Sequence, residues 1–303
     1  MIRRLAFFIL LPILGSAQVL PEVTEGAQAV SLLTGEALVS AAPSEGVLER
    51  LATARGDYES DSDNADHIIW YGRRAAYAGD YRGAIEIFSE GIEKFPDDAR
   101  MYRHRGHRYI SIREFDRAIA DLEKAAELIE GTENETEPDG LPNALNIPVS
   151  SLHGNIWYHL GLAYYLKQDW DNAYRAYKNG FDAGRNDDNR VSTTHWLYMI
   201  SCRKGDQAAA AAALENISAD MNVIENMSYH SLDLFYKGEI TLDELLGGDD
   251  GSSAGAAILY GAANWHYCDG QTEKADEMLR DMLESPAWAS FGYIAAEADL
   301  AAR

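Results

Sequence analysis

The sequence predicts an all-α protein, a right-handed solenoid of about five to six helical hairpins that ends in a C-terminal capping helix. Residues 80–85 (DYRGAI) match residues 114–119 (EFDRAI) at an offset of about 34 residues, and a weaker third copy follows. Small residues recur at the same offset. One hairpin cannot bury its own apolar face, so repeated hairpins must stack and share a core.

The first three hairpins each pair a glycine with an alanine. The glycine of the first helix lacks a side chain, so the second helix can cross it closely, and the alanine serves the same purpose from the second helix. The glycines are Gly72, Gly106 and Gly161, and the alanines are Ala84, Ala118 and Ala173. Pro96 ends the first hairpin because proline cannot continue a helix.

The pattern Trp157-x-x-Leu160-Gly161-x-x-Tyr164, together with the period, resembles the tetratricopeptide-repeat (TPR) superfamily over residues 64 to about 187. This resemblance implies that the first helices of the hairpins line a concave, ligand-binding surface. Residues 103–111 and 137–143 are similar to exported bacterial TPR proteins of unassigned role, which implies export and fold only. Arg105 departs from the pattern, and we expect its stem to pack or its guanidinium to pair with an acid.

The later hairpins are degenerate. Each has a first helix and, after a turn, a second helix. The two helices span residues 190–203 and 208–214 in the fourth hairpin, 229–236 and 242–246 in the fifth, and 256–267 and 274–283 in the sixth. Residues 247–255 form a Gly/Ser/Asp-rich loop. The helix after Pro286 caps an array spanning residues 64–303. In the N-terminal segment, residues 18–63, a lone helix at 45–58 follows a stretch without clear period.

The N-terminus has the features of a signal peptide at residues 1–17. Arg3 and Arg4 precede the apolar run Leu5–Leu14, and Gly15-Ser16-Ala17 suits a signal peptidase. The run is too short for a bilayer span of ~20 residues. A bacterial, periplasmic or secreted protein with no membrane insertion after cleavage is expected. The alternative is the N-terminal helix of a cytosolic protein.

About 21 extra residues interrupt the array as an insertion loop, residues 131–153. Insertions in repeat arrays emerge as loops, often on the binding face. Leu141, Leu145, Ile147 and Val149 favour an ordered loop over a disordered surface one.

The charge distribution suggests where binding occurs. The net charge of −23 argues against nucleic acid as a partner, yet residues 73–117 carry ten Lys/Arg against eight Asp/Glu. Arginine forks suit carboxylates and phosphates. We therefore expect a basic, aromatic concave groove that binds a protein or peptide with acidic or carboxylate groups. Its predicted residues are Arg73, Arg103, His104, His107, Tyr158, His159, Tyr165 and Trp196.

Three alternatives stay open. The arginines could neutralise acids of the array itself, such as Asp66 or residues 134–139. The strip could instead bind a small anionic ligand in a pocket closed by residues 131–153, or belong to an enzyme. No catalytic motif is present, no cofactor is expected, and a metal shared by His104, His107 and His159 would be repelled by neighbouring arginines.

The two cysteines fall in the fourth and sixth hairpins. Their Cα atoms would have to lie within ~7 Å for a disulfide, so the separation predicts that Cys202 and Cys268 remain unpaired and buried.

Overall fold

A computed structural model describes residues 20–247 and 253–303 of the chain. The predicted signal peptide, residues 1–17, lies outside these ranges, as does the centre of the predicted loop at 247–255. The described N-terminal segment is more regular than its sequence predicts. Strands β1 (Ala29–Val30) and β2 (Ala37–Leu38) pair antiparallel, with Ala29 opposite Leu38.

The described chain contains 14 helices, and the prediction of an all-α array of helical hairpins is confirmed. None of these helices is both long enough and apolar enough to cross a membrane. A lone helix, α1 (Glu45–Ser60), precedes the array. The hairpins are α2 (Ala65–Tyr77) with α3 (Tyr81–Lys94), α4 (Ala99–Ser111) with α5 (Phe115–Leu128), α6 (Leu152–Leu166) with α7 (Trp170–Ala183), α8 (Asp187–Arg203) with α9 (Gln207–Ala213), α10 (Met227–Lys237) with α11 (Leu242–Leu246), and α12 (Ser253–Cys268) with α13 (Thr272–Met282), followed by α14 (Phe291–Ala301).

The predicted glycine contacts hold the first three hairpins together. An added Cβ would lie 2.5 Å from the Phe88 ring at Gly72, 2.7 Å from Leu122 at Gly106, and 2.6 Å from the Tyr177 ring at Gly161. Real side chains do not approach so closely, so each crossing requires glycine. The three alanines of the second helices are fully buried.

Arg105, which departs from the repeat pattern, pairs with an acid. Its Nε and Nη2 each donate to an oxygen of Asp121 at 2.7 Å, and its Nη1 donates to Ser89 Oγ at 3.0 Å. This bidentate geometry satisfies the donors of the Arg105 guanidinium, at a position where the repeat pattern has an apolar side chain.

The fourth and sixth hairpins are spatial neighbours, contrary to the separation expected between them. Helices α9 and α11 have only 7 and 5 residues, and α12 returns to pack against α8. Cys202, at the end of α8, is buried, Cys268, at the end of α12, is half-buried, and both are free cysteines, as predicted. The premise that their hairpins lie far apart is wrong, because it assumed hairpins spaced evenly along one axis.

Two buried ion pairs fix the capping helix α14. Arg113, in the turn between α4 and α5, donates from Nε to Glu297 Oε2 at 2.9 Å. Arg203, at the end of α8, pairs with Asp299. Both carboxylates belong to α14, so the last helix is bound to the second and the fourth hairpin at once.

Candidate functional site

The chain's own C-terminal helix packs against the faces of α4 and α6 that the sequence predicts to line the groove. The Phe291 ring of α14 lies 5.2 Å from the His107 ring and 5.7 Å from the His159 ring, measured between centroids. Behind it, the Leu32 amide of the N-terminal segment donates to Glu297 Oε1 at 3.1 Å. The expectation of an open groove along α4 and α6 is corrected accordingly, because packing of distant segments closes it.

Of the predicted aromatic residues, Tyr165 and Trp196 are buried and Tyr158 is half-buried. Tyr165 and Trp196 are 1% and 2% exposed. The Tyr165 hydroxyl lies 2.7 Å from that of Tyr260 on α12, and Trp196 Nε1 donates to the Tyr158 hydroxyl at 3.1 Å. These rings join the third and fourth hairpins to the C-terminal ones. The structure therefore corrects the expectation that Tyr158, Tyr165 and Trp196 face an open surface.

His159 is buried as well, beside the predicted basic residues. Its ring lies 4.2 Å from that of His107, and its Nδ1 donates to the Asn155 carbonyl at 2.6 Å. Burial lowers the pKa of His159 well below its ordinary value, and the charge of Arg103 lowers it further. The imidazole is therefore neutral at physiological pH.

The four remaining predicted residues converge on one small cavity of about 100 Å³ between α2, α3 and α4. We call it the arginine pocket. It is lined by Arg73, Ala76, Tyr77, Phe88, Arg103, His104, His107 and Arg108. Arg108 is not among the residues predicted from the sequence, although it follows His104 by four positions and so shares its helix face.

Arg103 forms the inner wall of the arginine pocket with its hydrogen-bonding capacity partly unused. Its Nη2 pairs with Glu137 Oε2 at 3.1 Å, and its Nη1 donates to His104 Nδ1 at 2.6 Å. Its buried Nε has no hydrogen-bond partner among the described residues. Burial lowers the pKa of Arg103, and the Glu137 carboxylate opposes that shift.

Arg108 is a half-buried cation whose described polar contact is to an imidazole. Its Nη2 donates to His107 Nδ1 at 2.5 Å. Burial lowers the pKa of Arg108 to about 10, and the charges of Arg103 and Arg73 act in the same direction. Within the described part of the chain, no carboxylate pairs with this guanidinium. It remains charged at neutral pH at a considerable desolvation cost.

The two histidines of the pocket supply polarity without charge. Burial lowers the pKa of both His104 and His107 well below the ordinary value. The charge of Arg103 lowers the pKa of His104 further, and the charge of Arg108 lowers that of His107. Each Nδ1 accepts from its neighbouring arginine, so each Nε2 carries the proton. The neutral imidazoles hold the guanidiniums in place.

The insertion loop, residues 131–153, covers the arginine pocket. Its base is closed by a bridge between Thr136 and Ser151. From there, Glu137 reaches Arg103, and Arg73 Nη1 donates to the Pro138 carbonyl at 2.9 Å. The loop therefore folds against α2 and α4 as a lid.

A glycine allows this lid to lie close. An added Cβ at Gly140 would be 2.0 Å from the Tyr77 hydroxyl and 2.7 Å from Arg73 Nη2. On the other side, Arg74 Nη1 donates to the Gly140 carbonyl at 2.8 Å. No larger residue fits between the lid and the pocket wall without displacing one of them.

Internal acids neutralise part of the basic strip, as one of the open alternatives predicts. Arg100 Nη1 pairs with Asp66 at 2.6 Å, and Arg103 pairs with Glu137. Burial raises the pKa of Asp139, and Arg73 lowers it. The pocket is lined by three guanidiniums, those of Arg73, Arg103 and Arg108, and the lid brings two carboxylates, Glu137 to Arg103 and Asp139 to Arg73, which leaves a positive excess.

The metal alternative finds no support in the described residues. They contain no group of three or more His, Cys, Asp or Glu side chains that could hold a metal ion. His107 and His159 are adjacent, but Arg103 and Arg108 are the nearest charges.

No protein-family model matches the sequence, and no curated protein matches it. Several solved structures are similar to this chain. YrrB, a TPR protein with an unusual peptide-binding site, is 15% identical, with 80% of this chain and 97% of that chain covered and a TM-score of 0.43. A TPR protein from Parabacteroides merdae is 11% identical, with 82% and 92% covered and a TM-score of 0.48. The P58(IPK) TPR domain is 11% identical, with 83% and 72% covered and a TM-score of 0.30. At such identity the likeness concerns the fold alone.

Proposed function

We propose that this protein is a binding protein rather than an enzyme, and that its arginine pocket receives an anionic group of a protein or peptide partner. The observation that carries the proposal is Arg108, a half-buried guanidinium that the described chain leaves without a carboxylate. A protein retains such a group against its desolvation cost only where another interaction offsets it. An oxyanion bound between Arg103 and Arg108 would do so.

The pocket chemistry favours carboxylates and related oxyanions. A guanidinium offers planar, paired donors that match two oxygens of a carboxylate, phosphate or sulfate. The free Nε of Arg103 adds a donor that the described residues leave unused. General acid–base catalysis would instead call for a side chain with a pKa near the working pH, whereas the pKa of both pocket histidines lies well below it.

The pocket volume limits what can enter. A water molecule takes up roughly 30 Å³ in the liquid, so about 100 Å³ holds about three waters or one small oxyanion. Pockets for larger ligands measure roughly 300–1,000 Å³. The ligand would therefore enter as an end group, either an acidic side chain or chain terminus of a peptide, or a free small anion. Binding of a free small anion is the alternative function.

The decisive experiment is isothermal titration of the full chain with sulfate, with acetate, and with a short peptide ending in two aspartates, at constant ionic strength. We expect the wild-type protein to bind. Arg108→Met should bind with roughly 10- to 150-fold lower affinity, because a hydrogen bond to a charged group contributes about 1.5–3 kcal/mol. Arg108→Met should fold normally, since it removes a half-buried charge that pairs with no carboxylate of the described chain.

Arg55→Met is the matched control, because it removes the same charge from an exposed ion pair on α1. Tighter binding of the peptide than of either free anion supports a partner's end group, and binding of free anions alone supports the small-ligand alternative. Equal affinities for the two arginine variants, or no binding to any probe, would exclude the arginine pocket as the site.

The pH dependence of this binding follows from the pKa shifts. Because the pKa of both His104 and His107 lies well below the ordinary value, both stay neutral, and sulfate affinity should be constant between about pH 6 and pH 9. Affinity should fall above pH 10, where the Arg108 guanidinium loses its proton. A steep rise in affinity between pH 8 and pH 6 would instead mean that the histidines carry the charge.

A further inference from the structure

Arg103 has an ion-pairing edge that is only half used. In a side-on pair, the Nε and Nη2 atoms of an arginine each donate to one oxygen of the same carboxylate. Arg105 makes this pair in full, since its Nε and Nη2 each donate to an oxygen of Asp121 at 2.7 Å. Arg103 pairs through Nη2 with Glu137 Oε2 at 3.1 Å, while its buried Nε meets no acceptor in the described part of the chain. The edge therefore lacks a second oxygen.

The Glu137 carboxylate does not supply that oxygen from its present position. Its side chain is 10% exposed and lies between helices α4 and α6. Its Oε2 also accepts from Asn155 Nδ2 in the first turn of α6, and its Oε1 lies 3.8 Å from His104 Nε2. Because one oxygen is shared between two donors and the other lies beside an imidazole, the lid offers the Arg103 guanidinium a single acceptor.

We propose that Glu137 is an internal competitor for the arginine pocket, a lid carboxylate that a partner's carboxylate displaces from Arg103; this regulation presupposes the binding function proposed above. The incoming group takes Nε and Nη2 together, whereas Glu137 occupies Nη2 alone. One ion pair is exchanged for another, so Arg103 keeps a counter-charge. Glu137 moves toward solvent with the lid, whose hydrogen bonds from Arg73 and Arg74 end on backbone carbonyls.

Such a competitor sets both the affinity and the selectivity of the site. A ligand that binds only when the Arg103 edge is free has its affinity reduced by the fraction of molecules in that state. A group with one acceptor atom gains nothing over Glu137, whereas a carboxylate gains the bond to Nε. The lid therefore favours groups with two coplanar oxygens, such as a side chain or the terminus of an acidic peptide.

Isothermal titration of the full chain with acetate and with the peptide ending in two aspartates tests the competition. Glu137→Gln keeps the size of the side chain and an oxygen for Asn155, but it removes the charge that competes for Arg103. We expect this variant to bind the peptide at least about tenfold more tightly than wild type, as when a competent fraction of about one tenth approaches unity. Glu135→Gln is the matched control, because it removes the same charge from an exposed position of the same lid. Its affinity should stay near that of the wild type.

A purely structural role of Glu137 predicts the opposite result, because its loss would leave Arg103 without support and weaken binding. Unchanged or weaker binding by a Glu137→Gln variant that keeps the circular dichroism of the wild type would overturn the competition. If the wild type still binds, the proposed function would stand. Absence of binding by every variant to both probes would instead refute the arginine pocket as a site, and the competition with it.

Hydrogen exchange of the wild-type protein provides a second readout that does not depend on the folding of a variant. The Glu137 amide donates to the Ser150 carbonyl at 3.0 Å, across the base of the lid. Because bound peptide frees the lid from Arg103, this amide should exchange faster with saturating peptide than without it. Slower or unchanged exchange would count against the proposal, since a ligand that enters beneath an undisturbed lid does not expose it.

Discussion

Glu297→Ala is expected to destabilise the protein by about 3–5 kcal/mol, the usual cost of removing one partner of a buried ion pair. The Glu297 carboxylate is 0% exposed, and it accepts from Arg113 Nε at 2.9 Å and from the Leu32 amide at 3.1 Å. One side chain on α14 thus holds a turn of the second hairpin and the N-terminal segment. Its removal leaves the Arg113 guanidinium, itself 8% exposed, without a counter-charge.

Urea unfolding followed by circular dichroism measures this loss. Glu93→Ala removes an exposed glutamate from α3 and should stay within about 0.5 kcal/mol of wild type. Adding Arg113→Met to Glu297→Ala should restore part of the stability, because it removes the orphaned charge. A loss below about 1 kcal/mol, or strict additivity of the two substitutions, would show that α14 is not fixed by this ion pair.

The hairpins could be predicted because the contacts that form them join residues close together in the sequence. Gly106 and Leu122, which touch across one hairpin, are separated by a single turn and two half-helices, and the same spacing recurs at Gly161 and Tyr177. Such contacts repeat with the period of the sequence. The lone helix α1 and the capping helix α14 also follow from local periodicity and helix-ending residues.

The closure of the concave side could not be predicted in the same way. The contact between Leu32 and Glu297 joins residues 265 positions apart, and no local pattern marks it. The contact between α8 and α12 was not predicted for a related reason, since it depends on how far the short helices α9 and α11 let α12 fold back. Periodicity determines each hairpin but not the path of degenerate hairpins relative to one another.

The candidate site was predictable in part. Helical spacing brings Arg103, His104 and His107 to one face of α4, and Arg73 follows from the repeat on α2. Arg108 could have been found from its i, i+4 relation to His104. From the sequence, the expected partner of Arg103 could be limited only to the acids of residues 134–139. That Glu137 is this partner depends on the bridge at Thr136, which sets the register of the lid.

Gly292→Ala is the second substitution with a large expected effect, and it tests the packing of α14 against α12 directly. An added Cβ at Gly292 would lie 2.3 Å from the Ala256 carbonyl oxygen and 2.7 Å from its carbonyl carbon. A backbone cannot rotate aside as a side chain can, so α14 must shift as a whole. Such overpacking costs about 1–3 kcal/mol and occasionally more.

Gly56→Ala on α1 is the matched control, since an added Cβ there meets no atom within 4 Å. It should stabilise the protein by about 0.5–1 kcal/mol, because alanine favours a helix over glycine. The two identical changes should therefore have opposite signs. Hydrogen exchange should locate the damage of Gly292→Ala in α14 and in residues 29–38, with α2–α5 protected. Equal stability of the two variants would mean that α14 does not lie against α12 at this distance, and a mobile α14 would leave the concave side open to a partner.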